Sequence, residues 1–176
     1  MPRHAYPPLD NLSPRLTAEL KRRVGPDRGN VWKMLMWSPA MAEPFIDFND
    51  AVRYKIALPD DLRELVILRV GNLCEAPYEV HHHTRIAREV GMSEELIRAA
   101  KTGSAAPGLD AMQKLLLDLT DELVKDRRAS DATLAAAIKA FGPGGLTEVV
   151  MLVGCYVLAC MFLRTFGIDI EQPATA

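Results

Sequence analysis

The sequence predicts an all-α protein, and three observations lead to that class. Hydrophobic residues make up 49% of the 176 positions and aromatic residues only 6%, with Ala, Leu, Met and Val supplying most of the apolar mass. Apolar positions recur at helical spacing, and no segment shows the alternation of a half-buried strand. The length suits one well-buried domain, so we expect residues 1–176 to form a single domain of about eight or nine helices.

Capping and breaking signals divide the first third of the chain. Residues 1–14 contain four prolines and are predicted to form an extended N-terminal arm that packs on a neighbouring surface. Ser-Pro pairs at 13–14 and 38–39 have the form of an N-cap followed by proline at the first helical position. A break rich in Gly and Pro at 25–29 separates the first two helices. The predicted helices of this part are 15–24, 31–38 and 39–55.

Two helices in the middle of the sequence are predicted to form the centre of the domain. Between Leu62 and Leu73 the apolar positions are nearly continuous, which is typical of a helix buried on all sides. A tight connection at 72–77 leads into a second helix at 76–90, so we expect the two to pack as an antiparallel pair. Glu64 lies on the first of these helices and can reach a cleft that it shares with the second.

The second half of the sequence predicts four more helices, at 93–101, 110–125, 132–141 and 146–166, followed by a polar tail. Within the last helix, residues 149–163 carry no charge. These fifteen residues are fewer than the roughly 18 to 20 that a membrane span requires, and Glu148 and Arg164 bracket them closely. We therefore expect a core helix or a subunit contact, and no membrane association.

Charge, cysteine content and the N-terminal sequence argue against several classes of protein. A net charge of -2 gives no electrostatic reason to expect nucleic acid as a partner. The first residues lack an apolar stretch of signal-peptide length, which predicts a cytoplasmic protein. The three cysteines, Cys74, Cys155 and Cys160, contain no C-x-x-C pair and fit reduced, mostly buried thiols.

Three consecutive histidines, His81, His82 and His83, mark the first candidate site. Because each helical residue turns about 100° around the axis, the three imidazoles cannot share a face. His83 falls on the apolar stripe with Glu79 one turn earlier, whereas His81 falls on the wet side and His82 stacks over Tyr78. A buried imidazole beside a carboxylate suits general acid–base chemistry near neutral pH.

Each candidate also has a plainer explanation. His83 is equally well a satisfied core histidine on periodicity alone, and Tyr78 is more commonly a core or interface aromatic than an acid. A carboxylate such as Glu64 on so apolar a helix needs a partner or a use, because burying it unpaired is costly. Its partner in the plain explanation is an arginine: Arg63, Arg69 or Arg85.

A metal site is another reading of the same residues. Glu79 and His83 at i, i+4 could both ligate, with Glu64 as a third ligand. Three adjacent histidines on a helix diverge, however, and cannot chelate together. We therefore expect no metal and no organic cofactor.

Five stretches of this sequence together resemble one known family: residues 62–70, 78–83, 86–93, 130–133 and 144–150. They are similar to the carboxymuconolactone decarboxylase and AhpD-like alkylhydroperoxidase family. It implies an AhpD-like helical bundle that assembles as dimers, trimers or hexamers, with the active site near a subunit contact.

The resemblance also matches individual residues to the positions of the family's motif. Where the peroxidase branch has glutamate, two redox cysteines and histidine, this chain has Glu64, Ala76, Glu79 and His83, so both cysteines are missing. Cys74 lies two residues before the first cysteine position. The sequence Tyr-Glu-x-x-x-His at 78–83 is instead similar to the decarboxylase-like branch.

We therefore expect an enzyme that works by proton transfer on a small lactone or keto acid. In this hypothesis His83 shuttles the proton, Glu79 orients it or acts as partner acid, and Glu64 completes the relay. The residues expected to bind the substrate are Tyr78, His82, Arg63 and Arg164, with Arg69 as a further candidate for its anionic group. The alternatives are a peroxidase-type antioxidant protein that uses Cys74, and a non-catalytic oligomeric ligand-binding protein.

Overall fold

The computed structural model describes residues 2–25 and 28–171, which form eight α-helices and, apart from one bridge between Gly25 and Arg28, no β-structure. The predicted all-α class is thus confirmed. Parts of the predicted break (26–27) and of the polar tail (172–176) lie outside the described residues. The helices are α1 (Pro14–Arg23), α2 (Asn30–Leu35), α3 (Pro39–Tyr54), α4 (Asp60–Leu73), α5 (Pro77–Glu89), α6 (Glu94–Thr102), α7 (Ala111–Lys125) and α8 (Asp131–Phe166).

The two helices predicted at 132–141 and 146–166 form a single element, α8, with a break inside it. Gly142 has φ 69° and ψ 173°, a conformation that glycine adopts without steric cost and that interrupts the helix. Pro143 then opens the next turn, where the missing N–H of a proline is tolerated. Only one residue leaves the helical conformation, so the predicted four-residue loop is wrong.

Helix α4 lies at the centre of the fold, as its continuous apolar sequence predicts. Residues 63–71 are all buried, and α4 packs against α5, α6, α7 and α8. A central helix also buries charges, and these are paired: Arg69 donates from Nη2 to Asp121 Oδ2 on α7 at 2.6 Å and from Nη1 to the carbonyl of Lys101 at 2.8 Å. Glu64 is the one buried acid of α4, and it faces the neighbouring helix α5.

The connection between α4 and α5 brings the two helices into close antiparallel contact. Cys74 ends α4, Glu75 adopts a left-handed φ of 51°, and Pro77 occupies the first turn of α5. Gly71 permits the close approach, because a Cβ there would lie 3.1 Å from Val80 Cγ2. The predicted hairpin therefore sets the register in which α4 faces the first two turns of α5.

The two ends of the described chain lie against each other. The N–H of Arg3 donates to the carbonyl of Phe166 at 2.7 Å, and the Tyr6 hydroxyl donates to Asp169 Oδ1 at 3.0 Å. The N-terminal arm, expected to pack on a neighbouring surface, thus contacts the end of α8 in its own chain.

Helix α8 is long and apolar enough, by length and composition, to cross a membrane, a criterion that buried core helices also meet. One of its faces enters the core through Leu152, Tyr156 and Cys160. The opposite face carries an exposed apolar stripe, composed of Val150, Met151, Leu158 and Met161.

Candidate active site

A buried histidine lies between two glutamates at the α4–α5 contact. His83 Nδ1 is 2.6 Å from Glu64 Oε2, and His83 Nε2 is 3.1 Å from Glu79 Oε1. The three residues are 0% (Glu64), 6% (His83) and 7% (Glu79) exposed. The structure thus brings together the three residues that the sequence nominated as catalytic.

The local fold explains this convergence. Glu79 and His83 are one turn apart on α5 and share a face, as i, i+4 residues do. Glu64 reaches the other side of the ring from α4 because the short hairpin makes the two helices antiparallel. Each ring nitrogen therefore has its own carboxylate, on opposite edges of the imidazole.

The two carboxylates determine the charge of the imidazole. Burial alone lowers the pKa of His83, but the charge and hydrogen bond of Glu64, followed by those of Glu79, raise it to about 9. Burial raises the pKa of Glu64, and the charge and hydrogen bond of His83 outweigh it and lower that pKa. At neutral pH the site therefore holds an imidazolium with a proton on each nitrogen.

A cavity of about 340 Å³ opens beside His83. Glu79 and His83 line it, whereas Glu64 lies behind the imidazole and does not. The ring of Tyr156, on α8, meets the His83 ring edge to face with centroids 5.1 Å apart and forms part of the cavity wall. Glu79 is consequently the carboxylate through which a ligand can exchange protons with His83.

Two polar side chains of α3 face the same cavity without satisfying their hydrogen-bonding groups. Arg53 Nε and Asn49 Oδ1 are buried and form no hydrogen bond within residues 2–25 and 28–171. Asn49 uses its Nδ2 to contact Cys155 Sγ at 3.8 Å. A buried donor and a buried acceptor left open on one cavity wall indicate that a ligand or water completes them.

The structure places only some of the residues expected to bind the substrate at the cavity. Tyr78 and His82 line the cavity, but both bind Glu171: the Tyr78 hydroxyl donates to Oε1 at 2.8 Å and His82 Nε2 lies 2.9 Å from Oε2. Burial lowers the pKa of His82, and Glu171 opposes that shift. These two residues therefore hold Glu171 against the cavity wall.

The three predicted arginines lie away from the cavity. Arg63 donates to Asp60 Oδ1 at 2.6 Å and places its Nε 3.7 Å from Glu64 Oε1, so it supports the buried carboxylate. Arg69 is bound to α7, as described above. Arg164 is exposed and donates to the carbonyl of Cys74 at 2.8 Å.

Sequence reasoning missed three residues that line the cavity, Arg53, Asn49 and Tyr156. It also missed Glu171, which binds Tyr78 and His82 of the cavity wall. Asn49 and Arg53 are one turn apart on α3, a polar pair on a helix whose other buried positions are mainly apolar, and this signal was available. Tyr156 and Glu171 come from distant parts of the sequence, and no spacing rule connects them with His83.

The same geometry bears on the metal alternative. Glu64 and Glu79 approach opposite nitrogens of the imidazole, so the three side chains do not converge on one point. No group of three His, Cys, Asp or Glu side chains in the described part of the chain is arranged to hold a metal ion.

The fold is that of AhpD-like helical proteins. Over 97% of this chain and 93% of the other, the structure is similar to an alkylhydroperoxidase AhpD core described as an uncharacterized peroxidase-related protein from Ralstonia eutropha JMP134, with a TM-score of 0.84 and 17% identity. It is also similar to an uncharacterized peroxidase-related protein from Silicibacter sp. TM1040, with a TM-score of 0.83, 14% identity, and coverage of 97% and 92%. At these identities the similarity concerns the fold.

Part of the sequence is also similar to one known family. Residues 39–122, from the start of α3 into α7, match the model of the carboxymuconolactone decarboxylase family. This match confirms the resemblance inferred from the sequence motifs. A comparison with curated proteins finds no match.

Proposed function

We propose that this protein is a decarboxylase-like enzyme that moves protons at Glu64, His83 and Glu79 without a thiol. The proposal depends on one observation: both nitrogens of His83 contact carboxylates, and only one of these carboxylates faces the cavity. Glu64, the carboxylate behind the imidazole, keeps the ring charged and oriented. Glu79, the carboxylate that lines the cavity, connects the ring to a ligand.

The roles follow from these positions. When a lactone acid or β-keto-type acid loses CO2, negative charge spreads into the carbonyl and one carbon must gain a proton. That proton passes from His83 Nε2 to Glu79 and then to the substrate carbon, and water restores it afterwards. In an isomerisation, Glu79 removes a proton from one carbon and returns it to another.

Arg53 is the residue that we propose for binding the anionic group of the substrate. Its guanidinium has no acidic partner within salt-bridge distance in the described part of the chain, unlike Arg63 and Arg69. A carboxylate at this position completes the Nε donor, and charge-assisted hydrogen bonds of this kind are strong. Asn49 Oδ1 can accept from a hydroxyl of the same ligand.

The test measures proton exchange into the substrate, so it does not depend on identifying one product. Native protein is incubated in D2O with small lactone acids and keto acids, and NMR records deuterium exchange beside the carbonyl and loss of CO2. Glu79→Gln and His83→Asn should slow the reaction by about 10²- to 10⁴-fold. Glu89→Gln is the matched control, because Glu89 also lines the cavity but binds Arg85 at 2.8 Å at the surface.

The outcomes separate the candidate functions. Equal rates in Glu79→Gln and Glu89→Gln overturn the proton-transfer proposal. Binding of these acids by the native protein without any exchange favours a non-catalytic ligand-binding protein. The peroxidase alternative has no cysteine at this site, so it depends on Cys74, and unchanged peroxide consumption in Cys74→Ser counts against it.

We further propose that the chain forms a homo-oligomer through the exposed stripe on α8. Four apolar side chains on one face of a helix are costly to leave in water, and a second copy covers such a stripe with an identical one. Light scattering should give a multiple of the monomer mass, and Met151→Glu should lower it.

A further inference from the structure

Two thiols lie together where the end of α4 meets α8. Cys74 is half-buried and caps the C-terminal end of α4, and Cys160 is fully buried on α8. Both side chains pack in the same apolar cluster, and Arg164, one turn beyond Cys160, binds the carbonyl of Cys74. We propose that Cys74 and Cys160 are a redox-active pair, which exchanges with low-molecular-weight disulfides and closes an intramolecular disulfide.

The backbone around Cys74 is held against α8. Arg164, one turn beyond Cys160, donates from Nη1 to the Cys74 carbonyl at 2.8 Å, and its Nη2 lies 3.5 Å from Glu75 Oε2. Glu75 adopts a left-handed φ of 51°, which costs free energy for a residue with a Cβ. Such a conformation persists where its surroundings impose it, and here it turns the chain immediately after Cys74.

The surroundings give the two thiols different roles. The interaction with the Cys160 side chain lowers the pKa of Cys74 to about 7 against the effect of burial, and the cations of Arg164 and Arg127 contribute. The pKa of Cys160 is raised, because it interacts with Cys74 and its sulfur is buried. Cys74 is therefore the attacking thiolate and Cys160 the resolving thiol.

The exchange reaction balances in two steps. The Cys74 thiolate attacks a sulfur of glutathione disulfide, forms a mixed disulfide and releases one glutathione thiolate. Cys160 then attacks Cys74 Sγ, forms the Cys74–Cys160 bond and releases the second glutathione, while its proton passes to a departing thiolate. Two protein thiols are oxidised and one glutathione disulfide is reduced to two thiols.

This pair is separate from the proton-transfer site, and the third cysteine provides an internal control. Cys155 is fully buried, its Sγ contacts Asn49 Nδ2 at 3.8 Å, and burial raises its pKa to about 11. We expect Cys155 to stay reduced while the other two react. The proposal does not depend on the proposed enzymatic function, and its test needs no substrate.

The experiment uses the full-length native protein in glutathione redox buffers, followed by acid quenching, alkylation and peptide mapping by mass spectrometry. Two of the three thiols should disappear together, and the map should show Cys74 bonded to Cys160. Cys160→Ser should stop at the mixed disulfide on Cys74, whereas Cys155→Ala should behave as the native chain. Reaction with iodoacetamide should show an inflection near pH 7 for Cys74.

Rates provide a second measurement. At pH 7 a thiol with a pKa of about 7 has roughly 16-fold more thiolate than one at 8.5, and its lower nucleophilicity reduces the gain to about threefold. A native protein that accumulates the same mixed disulfide as Cys160→Ser overturns the proposal. So does a native protein in which Cys74 remains a free thiol in oxidising buffer.

Discussion

Replacement of Glu64 by Gln tests the charge state on which the proposed chemistry depends. A tenfold change in proton affinity corresponds to about 1.4 kcal/mol, so a rise in the pKa of His83 from 6.5 to about 9 corresponds to about 3 kcal/mol of folding free energy. Because folded His83 binds its proton more tightly than the unfolded chain does, this contribution is fully present below about pH 6.5. It is lost as the pH rises through about 9.

Glu64→Gln keeps the shape of the side chain and removes the charge that raises this pKa most. Burial then opposes protonation of His83. Between about pH 6 and about pH 10, the free energy of unfolding should therefore fall by about 3 kcal/mol less in the variant than in the native protein. At neutral pH it should also be less stable by about 3 kcal/mol, because His83 no longer binds the proton that the Glu64 carboxylate holds there in the native protein.

Urea unfolding at a series of pH values, followed by circular dichroism, gives both quantities. Other titrating groups contribute equally to the two proteins and cancel in the comparison. Glu95→Gln is the control, since Glu95 forms an exposed pair with Arg98. Parallel pH profiles for native protein and Glu64→Gln would refute the assignment of a charged His83, and an NMR titration of the His83 ring checks the same value directly.

Two further predictions concern other parts of the fold. Gly103 has φ +93°, and a Cβ there would lie 2.8 Å from Arg69 Nη2, so Gly103→Ala should destabilise the protein by about 3 kcal/mol in urea unfolding. Gly108→Ala, with φ +78° and open space around it, should cost only about 1 to 2 kcal/mol, and equal losses would contradict the role of Arg69. Glu171→Gln should lower the pKa of His82 further, because burial already lowers it and Glu171 opposes that; an unchanged NMR titration would show that this carboxylate has no influence.

The central part of the site could be predicted because it depends on short-range geometry. An apolar helix, a tight turn and an i, i+4 pair are all visible in the sequence, and together they bring Glu64, Glu79 and His83 to one place. The resemblance to a family with the same residues pointed in the same direction. These signals lie within 20 consecutive positions, from 64 to 83.

The choice of arginine could not be predicted, because it depends on which cations are already neutralised. Arg63 has an acid three residues earlier, a pattern that was visible, but the partner of Arg69 is Asp121, 52 positions away. Arg53 differs from these two arginines in lacking such a partner among residues 2–25 and 28–171. A sequence shows that a charge exists, whereas its pairing depends on the packing of helices that are distant along the chain.

Chemistry restricts which group of a substrate Arg53 can hold. A guanidinium that pairs with the departing carboxylate stabilises the ground state more than the transition state, in which charge moves into the carbonyl, and it therefore slows CO2 loss. A carboxylate that is kept in the product is bound equally in both states, so Arg53 then acts by holding the substrate in place. If the proposed function holds, Arg53→Gln should accordingly raise KM by about 10- to 100-fold with little change in kcat, and monocarboxylate products should inhibit the native protein competitively. If Arg53→Gln raises kcat instead, the guanidinium faces the carboxylate that leaves, and the substrate lies in the opposite orientation.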